Sequence, residues 1–327
     1  MSAPPGWRIA SNSDDLEEGL FGQVLLWVFE LLPWLDSRGL RPDWRIASKL
    51  YGPALPGVFD LAYAPPARVT RTRTLLWSRV WHTNVLGGDW DGVHALWTRY
   101  FRVPARIEAQ ADAVGLSRDT LGLHYRGTDK NRQAIDTNPV SVDDFLALAA
   151  AFLAERPEIR CVFVASDEPG MQAAVAARLP GLEVRGLGDV PFHKAGAPAA
   201  YPGKADRALL DCVLLSRCRV VLKCSSALSG FAKVLNPRLE CYRVAACKIF
   251  SDIPYFPDAY VPRLVLRDPA ARAILERQFE GDWLDDPAAV ARWSAPFVGR
   301  PRYSPGRIAI NALKYAVSLA LGRPRKA

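Results

Sequence analysis

The chain has 327 residues, of which 50% are hydrophobic and 23% are charged, a composition typical of a globular protein with one large or two ordinary domains. Its net charge of +8 favours anionic partners. Arg and Lys are scattered, however, and no basic helix carries interleaved aromatic residues, so the sequence argues against nucleic-acid binding. No uninterrupted run of about 18 apolar residues occurs, which argues against a membrane-spanning helix.

The six cysteines form no CxxC pair, have no histidine at the spacing of a metal site, and in several cases fall within apolar runs. A free cysteine in such a run behaves as a small hydrophobic residue. The first residues hold no apolar signal segment. We therefore expect a cytoplasmic protein whose thiols are buried and reduced.

Residues 1–118 are expected to form a smaller N-terminal α/β domain, although their pattern is weak. Residues 1–18 are polar and predict a loop. The sequence Gly19-Leu20-Phe21-Gly22 then precedes an apolar run over 23–32, which is too long for an ordinary strand and predicts a helix. Glycines that open a helix leave backbone N–H groups exposed and suit an anion or ligand loop, but a tight turn before a buried helix explains them equally well.

From residue 119 the pattern becomes a regular alternation of strands and helices. The predicted strands are 121–126, 159–165, 182–187, 220–222 and 239–244, and the predicted helices are 145–156, 169–178, 205–218 and 226–235. Ser141 begins the segment that caps the first of these helices. Such alternation predicts a doubly wound parallel sheet with helices on both faces, in a domain over residues 119–265.

Residues 266–327 are expected to form a helical C-terminal segment. Its last part, 307–321, is mostly apolar and has basic flanks. The segment would pack back on the N-terminal domain or lie on an anionic membrane, and the sequence leaves both alternatives open.

Polar clusters follow three of the predicted strands: His124, Arg126 and Asp129; Ser166, Asp167 and Glu168; Ser225 and Ser226. Parallel strands point the same way, so these clusters meet at one edge of the sheet, where open α/β sheets bind ligands. Arg126 suits a bidentate contact with phosphate, and hydroxyls and N–H groups at a helix N-terminus suit the same anion. Asp167 and Glu168 suit ribose hydroxyls or the N–H edge of a guanine. The edge therefore predicts a site for a nucleotide diphosphate, although neither a GxGxxG nor a GxxxxGK[ST] motif is present.

Three stretches in this region resemble the motifs of one enzyme superfamily, which includes α-1,6-fucosyltransferases, nodulation fucosyltransferases and protein O-fucosyltransferases. His124-Tyr125-Arg126-Gly127-Thr128-Asp129-Lys130 resembles its His-x-Arg-Arg-x-Asp-Lys motif, and Val164-Ala165-Ser166-Asp167-Glu168-Pro169 is similar to its Ala-Thr-Asp-Asp-Pro motif. The third stretch, 210–226, resembles a motif with an Asp in a helix, a Leu-Ser pair and then Ser-Ser. Order and spacing hold over residues 121–226.

The resemblance implies a GT-B-like fold in which two Rossmann-like domains face a cleft, with the acceptor on the N-terminal side and GDP-fucose on the C-terminal side. It implies an inverting glycosyltransferase that needs neither a cofactor nor a metal ion. The family's essential phosphate-contacting Arg would be Arg126 and its donor-site His would be His124; both are the catalytic candidates. The donor-binding candidates are Arg126, Asp167, Glu168, Asp211, Ser225, Ser226 and, in the softer match to a Gly-rich loop, Gly22.

Two positions depart from the motifs: Gly127 replaces the second Arg, and Glu168 replaces an Asp. The first departure leaves an α-1,6 linkage open, and the second bears on how the nucleoside is held.

A different nucleotide sugar (GDP-mannose or GDP-rhamnose) and a non-catalytic glycan- or nucleotide-binding relative are the alternatives. The acceptor would be a surface polysaccharide or a lipid-linked oligosaccharide. The catalytic base is open among Asp14, Asp15, Glu17, Glu18, His82 and Asp89.

Overall fold

The computed structural model of the chain describes residues 6–10, 20–21, 31–48, 50–74, 89–127, 138–190, 202–224, 226–244, 259–260, 265, 267–279, 285–288 and 291. Several predicted features lie outside these residues: Gly22, Asp129, Ser225, the base candidates Asp14, Asp15, Glu17, Glu18 and His82, and the segment 307–327. Within the described part, no helix is both long enough and apolar enough to cross a membrane. The five cysteines described there are buried and form no disulfide.

The N-terminal part is built on a four-stranded sheet. Its strands are β1 (Gly6–Ala10), β2 (Asp43–Ser48), β3 (Gly52–Leu55) and, after the short β4 (Asp60–Leu61), β5 (Val69–Thr74). The order is β3-β2-β1-β5; β1 runs parallel to both of its neighbours, and β2 and β3 are antiparallel. β4 pairs with β6 (Phe101–Arg102). The helices of this part are α1 (Leu32–Asp36), α2 (Trp90–Tyr100) and α3 (Ala105–Val114).

Strand β1 shows that the loop predicted for residues 1–18 was wrong over 6–10. Its buried residues, Gly6 and Ile9, are three positions apart, so the segment lacks the alternation by two that identifies a strand in a sequence. Gly6 is placed against the Arg68 carbonyl oxygen, which a Cβ at this position would overlap. The strand therefore depends on partners that lie far along the chain.

The C-terminal part is built on a six-stranded sheet in which all neighbouring strands are parallel. Its strands are β7 (Thr120–Tyr125), β8 (Cys161–Ser166), β9 (Glu183–Gly186), β10 (Val220–Lys223), β11 (Glu240–Arg243) and β12 (Ala259–Tyr260). In the order β12-β11-β10-β7-β8-β9 the chain runs outward from β7 to β9 and then returns to β10, beside β7. The point where the strand order reverses therefore lies between β7 and β10. This arrangement confirms the predicted doubly wound α/β sheet.

Helices cover both faces of this sheet. They are α4 (Val142–Ala154), α5 (Met171–Arg178), α6 (Lys204–Arg217), α7 (Ala227–Leu235) and α8 (Pro269–Phe279). α4, α5 and α8 bury one face, and α6 and α7 bury the other. Ser141 is the N-cap of α4, as predicted, because its hydroxyl accepts a hydrogen bond from the Asp144 N–H at 3.0 Å. With both faces covered, polar groups of the central strands reach solvent or ligand mainly at the strand ends.

One apolar core joins the N-terminal part to the large sheet. Phe231 of α7 packs against the rings of Phe59 and Trp97, with centroid separations of 5.6 and 4.9 Å. α8 belongs to the large sheet, since it packs on α4 and Arg277 forms an ion pair with Asp144 at 3.0 Å. The predicted domain boundaries at residues 118 and 265 remain a prediction. Helix α8, which belongs to the segment predicted to pack on the N-terminal domain or on membrane, lies on the large sheet.

Candidate functional site

A pocket opens at the carboxyl ends of β7 and β8, and its walls come from both parts of the chain. The residues that line it are Tyr51, His124, Arg126, Ala165, Ser166, Asp167, Val190, Arg207, Ala208, Asp211 and Leu228. Tyr51, which follows β2, is the N-terminal contribution. The Lys204 Nζ, at the start of α6, lies 4.9 Å from the centroid of the Tyr51 ring and links this wall to the helix by a cation–π contact.

Arg126 is held at the pocket by Asp167, which lies at the end of the neighbouring strand. The Arg126 Nε and the Asp167 Oδ2 are 3.0 Å apart, at the distance of an ion pair but without the alignment of a hydrogen bond. The other carboxylate oxygen of Asp167 accepts the Gly127 N–H at 2.9 Å. Side-chain exposures of 14% and 21% leave the pair partly shielded from water, which strengthens its attraction. The ends of β7 and β8 are therefore tied together by one carboxylate.

Gly127 and Glu168 lie against each other across the same two strand ends. A Cβ built on Gly127 would overlap the Oε2 of Glu168, so the glycine leaves the space that this carboxylate occupies. Ser166 fixes the turn that carries Glu168, since its hydroxyl donates to the Tyr125 carbonyl at 3.0 Å and accepts the Glu168 N–H at 3.0 Å. The two departures from the family motifs are thus in direct contact.

His124 is a buried neutral imidazole. A hydrogen bond of 2.7 Å joins its Nδ1 to the Ser229 hydroxyl of α7, which donates in turn to the Ser226 carbonyl. Because the Ser229 hydroxyl already donates to that carbonyl, its oxygen accepts from the imidazole, which favours the tautomer with the proton on Nδ1. Burial, and then the cations of Arg126 and Lys223, hold the pKa of His124 well below its usual value. A histidine of this kind does not supply positive charge to a phosphate, and it is a weak base.

Asp211 contributes a carboxylate from the face of α6 that lines the pocket. Its Oδ2 lies 3.2 Å from the Nε of Arg207, one turn earlier on the same helix. Burial raises the pKa of Asp211 to about 6, and the Arg207 cation opposes this rise. Its Oδ1 is buried and has no hydrogen-bond partner among the described residues. The site therefore contains a carboxyl group whose pKa burial raises to about 6.

The structure brings four of the predicted residues, His124, Arg126, Asp167 and Asp211, into one pocket. Glu168 lies beside this pocket, because its carboxylate contacts Gly127, the residue that follows Arg126. Ser226 is the N-cap residue of α7 and is buried, but it is not among the residues that line the pocket. Gly22, Ser225 and Asp129 lie outside the described residues, so their predicted roles are not tested.

Sequence reasoning missed Arg207, Tyr51 and Ser229. For Arg207 a signal was available, because it precedes Asp211 by four residues and so shares its face of the helix. Tyr51 and Ser229 had no such signal, since each reaches the pocket or its histidine through a contact distant in sequence.

The base candidate Asp89 has a structural role. Together with Asp91 it has the Asp-x-Asp spacing of a metal-binding pair, but its side chain caps α2 by accepting the Gly92 N–H at 2.9 Å. Across the described residues, no group of three or more His, Cys, Asp or Glu side chains is arranged to hold a metal ion.

Comparison with known proteins finds similar solved structures, all at TM-scores below 0.5. No protein-family model matches the chain, and no curated protein matches its sequence. Among solved structures, NodZ alpha-1,6-fucosyltransferase soaked with GDP-fucose is similar at a TM-score of 0.41 and 17% identity, over 73% of this chain and 95% of that one. POFUT1 in complex with GDP-fucose is similar at a TM-score of 0.43 and 12% identity, over 72% and 94%. A mutant of Arabidopsis thaliana FUT1 in complex with GDP is similar at a TM-score of 0.35 and 10% identity, over 72% of this chain and 51% of that one. Likeness at this level does not assign a function to the chain.

Proposed function

We propose that this chain is a glycosyltransferase that transfers fucose from GDP-fucose to a glycan acceptor, with inversion at the anomeric carbon. The observation that carries the proposal is the position of Arg126. Its guanidinium is tied to Asp167 and lines a pocket at the carboxyl ends of β7 and β8, next to the point where the strand order reverses. A cation held at this place in a doubly wound sheet suits the diphosphate of a nucleotide sugar.

In the proposed reaction an acceptor hydroxyl attacks the anomeric carbon from the face opposite to the diphosphate. The bond from that carbon to the phosphate oxygen breaks, and its electron pair leaves with GDP. Arg126 would stabilise the negative charge that develops on the diphosphate, because a fixed cation in a shielded site needs little reorganisation as the charge forms. The proton of the acceptor hydroxyl passes to a base from the N-terminal side.

The remaining residues take supporting roles in this proposal. Asp167 positions Arg126, since its two oxygens are engaged by that side chain and by the Gly127 N–H. His124 is a neutral donor-site contact rather than the base, which accords with its lowered pKa. Glu168, Ser225, Ser226 and Gly22 are proposed as donor contacts on the basis of the motifs alone.

Titration with GDP tests the site before any acceptor is known. We expect saturable binding by the wild type and a large loss of affinity in Arg126→Ala, with a partial loss in Arg126→Lys, which keeps the charge but not the planar fork. Arg106→Ala is the matched control, because Arg106 pairs with Asp206 on the surface between α3 and α6. Absence of GDP binding at millimolar concentration would exclude the proposal.

Hydrolysis or transfer with a panel of GDP-fucose, GDP-mannose and GDP-rhamnose distinguishes the first alternative, a different GDP-sugar. We expect GDP-fucose to have the highest kcat/KM. GDP binding without turnover of any donor, in the presence of a broad panel of glycans, would favour the second alternative, a non-catalytic relative.

Metal independence is a separate part of the proposal. We expect full activity in excess EDTA, because Arg126 and backbone N–H groups would supply the charge stabilisation that a divalent ion gives to other transferases. Loss of activity on chelation, with recovery on addition of Mg²⁺ or Mn²⁺, would contradict it.

We also infer a cytoplasmic enzyme that acts on a surface polysaccharide or a lipid-linked oligosaccharide and contacts anionic membrane through 307–327. The apolar run with basic flanks in this segment supports the inference. Truncation after residue 306 should abolish binding to vesicles that contain anionic lipid. Unchanged vesicle binding would exclude a membrane role for the segment.

A further inference from the structure

Among the described residues that line the pocket, Tyr51 is the aromatic one, and it comes from the N-terminal part. The tight connection between β2 and β3 presents it. Its backbone N–H donates to the Ser48 carbonyl at 3.2 Å, and Ser48 pairs with Gly52 across this hairpin. Gly52 has a φ of 78°, a left-handed conformation that glycine adopts without strain. The turn therefore fixes where the Tyr51 ring meets the pocket.

The ring is held a second time by α6. The Lys204 Nζ lies 4.9 Å from the ring centroid, and only 2% of Lys204 is exposed. The face of an aromatic ring attracts a cation, and the attraction is stronger where water is excluded. Tyr51 also packs against the apolar core that joins the two parts. The ring is thus a fixed part of the pocket wall before any ligand binds.

An apolar wall continues from this ring along α6. Lys204, Ala208 and Cys212 follow one another at intervals of four residues, so they share one face of the helix. Leu228 of α7 is adjacent to Cys212, whose thiol donates to the Leu228 carbonyl at 3.3 Å. Tyr51, Ala208 and Leu228 all line the pocket. We call these three side chains the apolar wall.

The apolar wall contrasts with the strand ends, where Arg126 and Asp167 are charged. A phosphate gains nothing from the face of an aromatic ring, because that face carries partial negative charge. Apolar C–H groups do gain from contact with it. In the proposed reaction the acceptor approaches from the N-terminal side, so the sugar of the donor, rather than its base, must face that side. Tyr51 is therefore placed for the sugar.

We propose that Tyr51 is a specificity-determining residue that contacts the transferred sugar, and that the apolar wall receives the C6 methyl group of a 6-deoxyhexose. This inference rests on the proposed function and adds to it the basis on which the sugar is selected. An ordinary hexose has a hydroxyl on C6, which would exchange its hydrogen bonds with water for contact with apolar groups. Lys204 is a positioning residue, since it acts through the Tyr51 ring.

Two matched donors test the contact. GDP-L-galactose carries a hydroxyl on C6 and is otherwise identical to GDP-fucose, and donor hydrolysis can be followed before any acceptor is known. We expect the wild type to have about a ten- to hundredfold higher kcat/KM for GDP-fucose, the range in which an apolar pocket rejects an added hydroxyl. In Tyr51→Ala this ratio should fall to about threefold or less, whereas the Kd of GDP should stay within about twofold of the wild type.

Further variants separate the ring from its hydroxyl and from its structural surroundings. Tyr51→Phe should keep the ratio. Tyr51→Gln retains much of the volume but replaces the apolar face with an amide, so it should lower the ratio even if Tyr51→Ala folds poorly. Lys204→Met should lower the ratio in part. Trp34→Ala is the matched control, because Arg38 lies 4.5 Å from the centroid of the Trp34 ring and Trp34 is not among the described residues that line the pocket.

The ratio of the two donors is a readout that a merely structural role would not change. Equal kcat/KM values of the wild type for the two donors would overturn this inference and leave the proposed function intact. An unchanged ratio in a folded Tyr51→Ala or Tyr51→Gln would also overturn it, and so would loss of the ratio in Tyr51→Phe. A large loss of GDP affinity in Tyr51→Ala would place the ring on the nucleotide and overturn it as well. Failure of the wild type to bind GDP would exclude both proposals.

Discussion

The two sheets of this molecule carry their charged residues in different places. In the six-stranded sheet, β7 is buried along its whole length, and Arg126 and Asp167 come immediately after the ends of β7 and β8. In the four-stranded sheet, charges lie within the strands: Arg8 and Arg45 pair with Asp43 at 2.8 and 3.3 Å, and the two Arg side chains are 39% and 62% exposed.

The difference follows from how the sheets are covered. Where helices cover both faces, as over the central strands β7, β8 and β10, a charge in the middle of a strand would be buried, so the charged groups lie at the strand ends, where they can meet a ligand. The edge strand β9 is the exception, since Glu183 and Arg185 pair within it. A sheet with a partly open face accommodates charged residues along its strands as ordinary solvated pairs. An Arg at a strand end of the first sheet is therefore expected to matter for function, and an Arg within the second is not.

The largest expected effect is that of Arg126→Ala, which removes the cation at the strand end. We expect the rate of transfer to fall by about a thousandfold or more, since a single arginine that stabilises phosphate charge contributes on this order. The fold should persist with a modest fall in melting temperature, because Asp167 loses its cation but keeps the Gly127 N–H and remains partly exposed. Steady-state kinetics and a thermal melt measure the two quantities. Near-normal turnover by the folded variant would contradict the comparison.

The second effect concerns the core that joins the two parts. Phe231 is fully buried and contacts the rings of Phe21, Phe59 and Trp97. Phe231→Ala should lower the free energy of unfolding by about 3–5 kcal/mol, from lost burial and the cavity that remains. Denaturant unfolding measures this. A loss below about 1 kcal/mol would mean that the two parts do not share a core. Phe231→Leu is the milder control.

The third effect depends on pH. The pKa of Asp211 rises from 3.8 in the unfolded chain to about 6 on burial, so between these values the native state holds a proton that the unfolded chain has lost. The contribution of Asp211 to the free energy of unfolding should therefore fall as pH rises through this range, by about 3 kcal/mol at full effect. Asp211→Asn should lack this slope. Urea unfolding at pH 4 and pH 7.5 would reveal it, and parallel profiles of the two proteins would contradict the assignment.

The smallest effect is expected in the four-stranded sheet. Arg45→Ala should change the free energy of unfolding by less than about 1 kcal/mol, because Arg45 is largely exposed and Asp43 keeps Arg8 as a partner. Transfer should be unaffected. If Arg45→Ala and Arg126→Ala reduced turnover to a similar degree, the location of a charge within its sheet would not predict its importance.

The sequence predicted the large sheet well because each of its elements is identified by local features. Buried strands such as β8 appear as short apolar runs, and Ser141 marks the start of α4. The convergence of His124, Arg126 and Asp167 followed from the parallel topology alone. The N-terminal sheet was harder, because β1 has no regular alternation and depends on pairing with β2 and β5, which lie more than 30 residues away.

The functions of individual side chains were less predictable than their positions. A sequence does not reveal that Asp167 points back to Arg126, that His124 is desolvated, or that Tyr51 reaches the pocket from the other sheet. These properties arise from the way the layers pack, and they decide whether a polar residue contacts a ligand, positions another residue or loses its charge.

The contact between Gly127 and Glu168 changes the meaning of the two motif departures. Considered one at a time, each is a substitution that weakens the resemblance. In the structure, the longer carboxylate occupies the space that the missing side chain leaves, so the two form one compensated exchange. Such a pair is expected to be non-additive: a side chain introduced at 127 would displace the carboxylate of Glu168, so its effect should differ between the Glu168 background and a Glu168→Asp background. The two positions are therefore best exchanged together and separately, as a double-mutant cycle.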